Sequence, residues 1–381
     1  MKKIAVVTGT RAEYGILYPV LKAIAARKEL KVSLVVTGMH LSHEFGYTVR
    51  EIEKDGFKID ARVDMLLSGD TVGAMAKSAG VGILGMAQAW EQIKPDIILV
   101  LGDRIEPLAA VISGAYMNMP IAHIHGGDAC GNIDNPARHA ITKFAHIHFP
   151  ATGKSAERII KMGEDEWRVH MVGSPTLDVL LKEPLLSSQV LAKRLRLDLS
   201  RPLILVVQHP VTTQADAAAG QMKVTLEAVL ETGYPVVLTY PNSDAGGRRM
   251  IEVIKTYENR PSLKTFKSLP RQEYLSLMKV AGVMVGNSSS GIIEAPSFGL
   301  PAVNIGSRQE GRERGKNVID AGHNKPEILR AIKKALTSQA FLKEVKKCES
   351  PYGDGKASQR IAEILSQLEI TPQLLQKKMT Y

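Results

Sequence analysis

A chain of 381 residues is longer than one hydrophobic core ordinarily supports, so two domains are expected. Hydrophobic residues make up 44% and charged residues 23%, a globular balance that excludes disordered and fibrous designs; no apolar run is long enough to span a bilayer, and a cytoplasmic protein is expected. The net charge of +10 favours an acidic partner, but the basic residues are scattered and the densest group, Lys333, Lys334, Lys343, Lys346 and Lys347, has the spacing of a solvated helix face, which favours a small polyanion over nucleic acid.

Short β-branched runs near 3–8, 31–37, 96–101 and 120–124, and again near 203–207, 235–239, 282–285 and 301–304, alternate with helical patterns. After the first of them, Ile16, Leu17, Val20, Leu21 and Ile24 form one apolar stripe. Such alternation calls for parallel sheets covered by helices on both faces. The expected fold is therefore α/β, with two Rossmann-like domains facing a central cleft. The break at Gly173-Ser174-Pro175 sets the first domain at 1–175 and the second at 176–360, and a helix over 361–381 is expected to pack back on the first. Cys130 and Cys348, the only two cysteines, offer neither a disulfide framework nor a zinc-ligand spacing and are read as reduced thiols.

Open parallel sheets bind ligands outside the carboxyl ends of their strands, and the polar motifs lie at those ends. Thr8-Gly9-Thr10-Arg11 leaves the first strand in a tight turn whose backbone amides are expected to cradle a phosphate, with Arg11 either a forked cation for it or a surface charge. No dinucleotide-binding glycine fingerprint or Walker sequence occurs, which disfavours a nicotinamide cofactor or ATP. Asp103, at the end of Leu101-Gly102-Asp103-Arg104, is placed either for proton transfer or for capping the next helix. In Ile121-Ala122-His123-Ile124-His125-Gly126-Gly127-Asp128, a strand would turn His123 and His125 to one face, as two metal ligands require. A hydrogen-bonded core imidazole is the competing reading for His123, and a metal is not expected because the nearby His139 is poorly spaced to complete a site.

In the second half His209 follows the strand ending at Val207-Gln208 and serves either a diphosphate or a helix entry. Asn287-Ser288-Ser289-Ser290-Gly291 then offers hydroxyls and amides to phosphate, and Glu294 offers a carboxylate to a ribose, unless the run is a capping box. Arg312 and Arg314, between Gly311 and Gly315, form a basic loop that either closes over a diphosphate or is a solvated turn.

Six stretches, taken in order, resemble the UDP-N-acetylglucosamine 2-epimerases. They are Gly9-Thr10-Arg11-Ala12-Glu13-Tyr14, Leu101 to Arg104, His123 to Gly127, Ile133-Asp134 with Arg138 to Lys143, Gln208-His209-Pro210-Val211-Thr212, and Asn287 to Pro296. Arg11-Ala12-Glu13-Tyr14 and His209-Pro210-Val211-Thr212 are similar to the hydrolysing branch of that family. The resemblance implies a glycosyltransferase-B architecture, a homodimer or homotetramer, a nucleotide-sugar substrate, and no metal or other cofactor. It also implies conversion of UDP-N-acetylglucosamine and water to N-acetylmannosamine and UDP, through 2-acetamidoglucal, for sialic-acid-type sugar synthesis. The alternatives are a hydrolysing 2-epimerase of a nucleotide-linked diacetamido-trideoxyhexose and a non-hydrolysing 2-epimerase. By motif position, Asp103 and Asp134 take part in proton transfer, His209 meets the diphosphate, and Arg11, Ser288, Ser289, Ser290, Gly291 and Glu294 hold UDP. This sequence departs from the family at His125, where many members have a catalytic Glu, and at Ile16, where many have Lys, so His125 or Asp128 stands in for the missing carboxylate or the sugar differs.

Overall fold

Runs such as Ile97-Ile98-Leu99-Val100-Leu101 and Leu203-Ile204-Leu205-Val206-Val207 are apolar at every position, so both faces of each strand need cover. The computed structural model describes residues 1–43, 46–67, 72–129, 134–180, 184–242, 244–378 and 380; the side chains of residues 72, 134 and 135 also lie outside the described part. The chain forms two units, one of Met1–Ala129, Asp134–Val179 and Tyr352–Tyr381, the other principally of Leu180–Pro351.

The first unit holds β1 (Lys2–Thr8), β2 (Leu30–Thr37), β3 (Ile59–Val63), β4 (Ile97–Leu101), β5 (Ile121–Ile124) and β6 (Ile147–Phe149), all parallel, in the order β3-β2-β1-β4-β5-β6. The second holds β7 (Leu203–Val207), β8 (Val236–Thr239), β9 (Leu263–Phe266), β10 (Ala281–Gly286), β11 (Ala302–Ile305) and β12 (Val318–Ala321), in the order β12-β11-β10-β7-β8-β9. Counted within its own unit, each sheet has the doubly wound order. Strand order therefore reverses between β1 and β4 in one unit and between β7 and β10 in the other, and a crevice opens outside the carboxyl ends there.

The core of the first unit joins Ile4, Val6, Leu34 and Leu99 from the sheet to Leu17, Leu21 and Ile24 of the helix Arg11–Ala25. Ile361, Ala362 and Leu365 of the helix Ala357–Gln367 close the same core. The first unit runs to Val179 rather than 175 because Asp178 is buried and its carboxylate accepts the amide N–H groups of Ala357 and Ser358 at 3.0 and 2.6 Å. Among the described residues the single helix expected over 361–381 is instead two: Ala357–Gln367 and, after a break at Thr371-Pro372, the turn Pro372–Leu375, whose Leu374 amide is capped by the Thr371 hydroxyl.

Candidate active site

The switch point of the first unit brings together the turn after β1 and the turn after β4. At the first, Glu13 reaches back so that its Oε2 accepts the N–H groups of Gly9 and Thr10 at 2.8 and 3.1 Å, while the Thr10 hydroxyl accepts the Glu13 amide. This is a complete capping box, so an internal carboxylate holds the amides that the sequence reading assigns to a phosphate. Arg11 points away from that turn to an exposed ion pair with Glu51 at 3.0 Å. The expected anion cradle at Gly9 is thus self-capped, a correction that follows from an acid three residues after the cap.

Behind the turn lies Glu106, which the sequence reading does not single out. Its side chain is fully buried, and a Cβ on Gly9 would come within 2.5 Å of its Cγ. Arg104 Nε contacts its Oε2 at 3.3 Å. Burial, and then the neighbouring Glu106, push the Glu13 carboxyl up to about 7; Arg104 and the two amide donors act the other way. Because the folded chain then binds a proton that the unfolded chain releases above about 4.5, this group's contribution to stability falls as pH rises from about 4.5 to about 7. Glu13→Gln keeps a carbonyl for both amides and removes the titration. We expect it to stabilise the protein by about 2 kcal/mol at pH 8 and by much less at pH 5, read from urea unfolding at both pH values; equal shifts at the two would contradict the assignment.

At the second turn Asp103 does not cap the following helix, whose N-cap is Arg104 with no side-chain hydrogen bond. Asp103 is instead ion-paired with Arg138, which is almost completely buried. The same guanidinium donates through Nη1 to the His125 carbonyl at 2.8 Å and lies 3.8 Å from Asp128 Oδ2. Arg138 is therefore the hub of this site. The sequence carries it only as one member of a motif, since a lone Arg on a helix gives no sign of burial.

β5 ends at Ile124, and His125 takes φ +63°, a left-handed conformation uncommon outside glycine. The two imidazoles consequently do not share a strand face, and the metal-ligand reading loses its geometry. His123 Nε2 donates to the Gly102 carbonyl at 2.8 Å and the Thr142 hydroxyl bonds its Nδ1 at 3.3 Å, while burial brings its pKa down to about 3. It is the hydrogen-bonded core imidazole of the competing reading. The turn that follows needs two glycines: a Cβ on Gly126 would lie 2.9 Å from His123 Nδ1, and one on Gly127, at φ +74°, would lie 2.2 Å from the Ser155 carbonyl. Asp128, also buried, accepts the Ser155 hydroxyl at 2.7 Å. Asp134 opens the helix Asp134–Phe144 that carries Arg138; its side chain lies outside the described residues.

In the second unit His209, after β7, faces Asn287, after β10. The His209 N–H donates to Asn287 Oδ1 at 2.7 Å and Asn287 Nδ2 donates to the His209 carbonyl at 2.8 Å, so a side-chain amide ties the two strand ends together. The Asn242 N–H donates to His209 Nδ1 at 3.1 Å, which leaves the ring proton on Nε2. Burial, aided by Arg308, lowers the imidazole pKa to about 3. His209 is therefore a neutral hydrogen-bond donor and not an imidazolium acid.

Gly286, at φ +134°, passes so close to β7 that a Cβ would lie 2.1 Å from the Val207 carbonyl. The segment after it makes only a four-residue helix, Ser290–Ile293, capped by Ser289 without a side-chain bond. With so short a helix the expected dipole is small, and the hydroxyls of Ser288, Ser289 and Ser290 are the polar groups presented. Tyr274, another residue missed in the sequence, hydrogen-bonds Ser288 and Ser290 and stands near Glu294; burial raises its pKa. Gly291 packs on β11, 3.2 Å separating its would-be Cβ from that of Ala302. In the basic loop Arg314 is engaged internally, with Asp320 at 2.5 Å and the Gln309 carbonyl at 3.0 Å, so it braces the loop and is withdrawn as a diphosphate ligand. Arg312, whose Nε is buried without a hydrogen bond, keeps the capacity to take an anion.

A family model described as UDP-N-acetylglucosamine 2-epimerase matches residues 22–366. Among curated relatives, a Legionella pneumophila protein named UDP-N,N'-diacetylbacillosamine 2-epimerase (hydrolyzing) is 40% identical over 381 residues, covering 100% of both chains. A Neisseria meningitidis UDP-N-acetylglucosamine 2-epimerase is 32% identical over 97% of this chain and 96% of its own. Among solved structures, a UDP-GlcNAc 2-epimerase from Neisseria meningitidis bound to UDP-GlcNAc superposes with a TM-score of 0.82 at 18% identity, covering 96% of this chain and 99% of that one, a likeness of fold.

Proposed function

The chain belongs to the UDP-N-acetylglucosamine 2-epimerase family, in its hydrolysing branch, and we propose that its substrate is a UDP-linked diacetamido-trideoxyhexose of the N,N'-diacetylbacillosamine type. The products are UDP and the free 2-epimerised sugar. This replaces the reading of UDP-N-acetylglucosamine and N-acetylmannosamine, which the sequence had placed first. The carrying observation is 40% identity along the whole of both chains to a relative named for the diacetamido sugar, against 32% to one named for UDP-N-acetylglucosamine. The histidine at 125, where the resemblance has a Glu, agrees with a changed sugar.

Proton removal from sugar carbon 2 is difficult while the ring is neutral. In this reading the carbon 1–oxygen bond to UDP breaks first or with it, and Asp103 takes the carbon 2 proton, leaving a glucal. Water then adds its oxygen to carbon 1 while giving up one proton to a carboxylate, and a carboxyl returns a proton to carbon 2 on the opposite face, with Asp128 and Asp134 the groups available for these two transfers. The second unit holds UDP through Ser288, Ser289, Ser290 and Glu294. His209 donates its Nε2 proton to the diphosphate, and Arg312 supplies positive charge.

The reaction is followed by proton NMR in deuterated water with each UDP-sugar in turn. We expect deuterium at carbon 2 of the free sugar and a kcat/KM about a hundredfold higher for the diacetamido substrate, since a site built for a second amide leaves polar groups unpaired with a hydroxyl. A preference for UDP-N-acetylglucosamine would overturn the substrate, and retention of the sugar-phosphate bond would overturn the hydrolysing reaction. A homodimer or homotetramer remains part of the proposal, as does action in the cytoplasm. Among the described residues no helix is long and apolar enough to cross a membrane.

A further inference from the structure

The helix Asp134–Phe144 supplies Arg138 at one end of its buried face and Thr142 at the other, and both reach the Asp103 loop: Arg138 directly, Thr142 through His123 to the Gly102 carbonyl. Asp103 is thus placed only as well as this helix is placed. The carbonyls at the helix's carboxyl end are not left to water. Lys377 Nζ donates to the carbonyls of Lys143 at 2.8 Å and Ala145 at 2.5 Å, with Thr142 at 3.4 Å. A cation at the negative end of a helix is favourable, and this one is held in place.

What holds it is a fully buried carboxylate. Glu164 takes Lys377 at 2.7 Å and His148 at 3.1 Å on Oε2, and Lys143 at 2.6 Å on Oε1. The backbone leading to Lys377 is fastened as well: Arg168 donates to the carbonyls of Gln373 and Leu374 at 2.8 Å each, and Leu374 is buried in the core. No step of the proposed reaction uses Lys377, Glu164 or Arg168, yet three ionic side chains have been drawn out of water around one helix end.

We propose that Lys377 is a positioning residue for the reaction, fixing the Asp134–Phe144 helix through its last carbonyls so that Arg138 and His123 hold Asp103 in register. The inference rests on the proposed function for its kinetic part and on geometry alone for its structural part. The groups facing the ammonium are Glu164, Lys143, Arg168, His148 and His146. Burial, then the like charges of Lys143 and Arg168, bring the Lys377 pKa down to about 8 from 10.5, while Glu164 opposes the change. The charge on this strap is therefore lost as pH rises through about 8, and turnover is expected to fall with it.

The test compares wild type, Lys377→Met and Lys377→Arg as full chains. For Lys377→Met we expect kcat to drop about tenfold with KM unchanged, the range seen when a supporting residue behind a reactive group is removed. Deuterium uptake by the amides of 138–144, measured without substrate, should rise in the same variant. Lys377→Arg keeps its charge at high pH, so it should retain protected amides and lose the alkaline fall near pH 8. Wild-type amide protection in Lys377→Met, or an unchanged alkaline limb in Lys377→Arg, overturns the proposal. The exchange measurement needs no substrate, so a wrong choice of sugar would leave it standing and a wrong strap would not. Should Lys377→Met fail to fold, the pH profile of Lys377→Arg decides alone.

Discussion

Asp103→Asn is expected to lower kcat by about a thousandfold while leaving the dissociation constant of UDP within a factor of two, because the change removes a proton acceptor and almost no volume. The placement argues for so large an effect. Asp103 sits where the first sheet reverses, at the exit of β4, and it is the side chain that the buried Arg138 grips. Asn still offers an oxygen to Arg138, so the fold should survive with a modest loss of stability. The checks are steady-state turnover, UDP binding by calorimetry and thermal unfolding on the same preparation. Turnover within tenfold of wild type would remove Asp103 from the proton-transfer step, and lost UDP binding would mean that the substitution had disturbed the fold.

The strands legible in the sequence are those buried on both faces, β1, β2, β4, β5, β7, β8, β10 and β11. A parallel sheet covered by helices leaves no polar alternation to confuse their apolar runs. β3, β9 and β12 went unseen because they are edge strands, half-exposed and carrying Asp60, Arg62, Lys264 and Asp320, and β6 because it has three residues. The site divides in the same way. Asp103, Asp128 and His209 were conspicuous because each follows an apolar strand within a few residues. Glu106, Tyr274 and Arg138 were not, because each lies on a helix where sequence periodicity cannot tell a buried polar side chain from a solvated one. The turn at Gly9 was misread for a related reason. The pattern that attracts a phosphate to amides also attracts an acid from the chain's own next turn, and Glu13 is that acid.

Arg138→Met should be the more damaging change to the molecule. Arg138 leaves behind Asp103, the carbonyl of His125 and the buried Asp128, and an uncompensated buried carboxylate costs about 3–5 kcal/mol once its partner is gone. Urea unfolding should record that loss, and turnover should fall at least a hundredfold in the protein that remains folded, because Asp103 is no longer aimed. Arg138→Lys separates charge from geometry. An ammonium restores one positive charge but cannot bond the His125 carbonyl through one nitrogen and Asp103 through another in a fixed plane. It should recover about half of the lost stability and little of the turnover, since stability draws on the charge and catalysis on the fork. The two variants thus make opposite demands on one site. If Lys at 138 restored turnover fully, the positive charge alone would be what Asp103 requires, and the left-handed backbone at His125, which brings its carbonyl to the guanidinium, would lose its place in the argument.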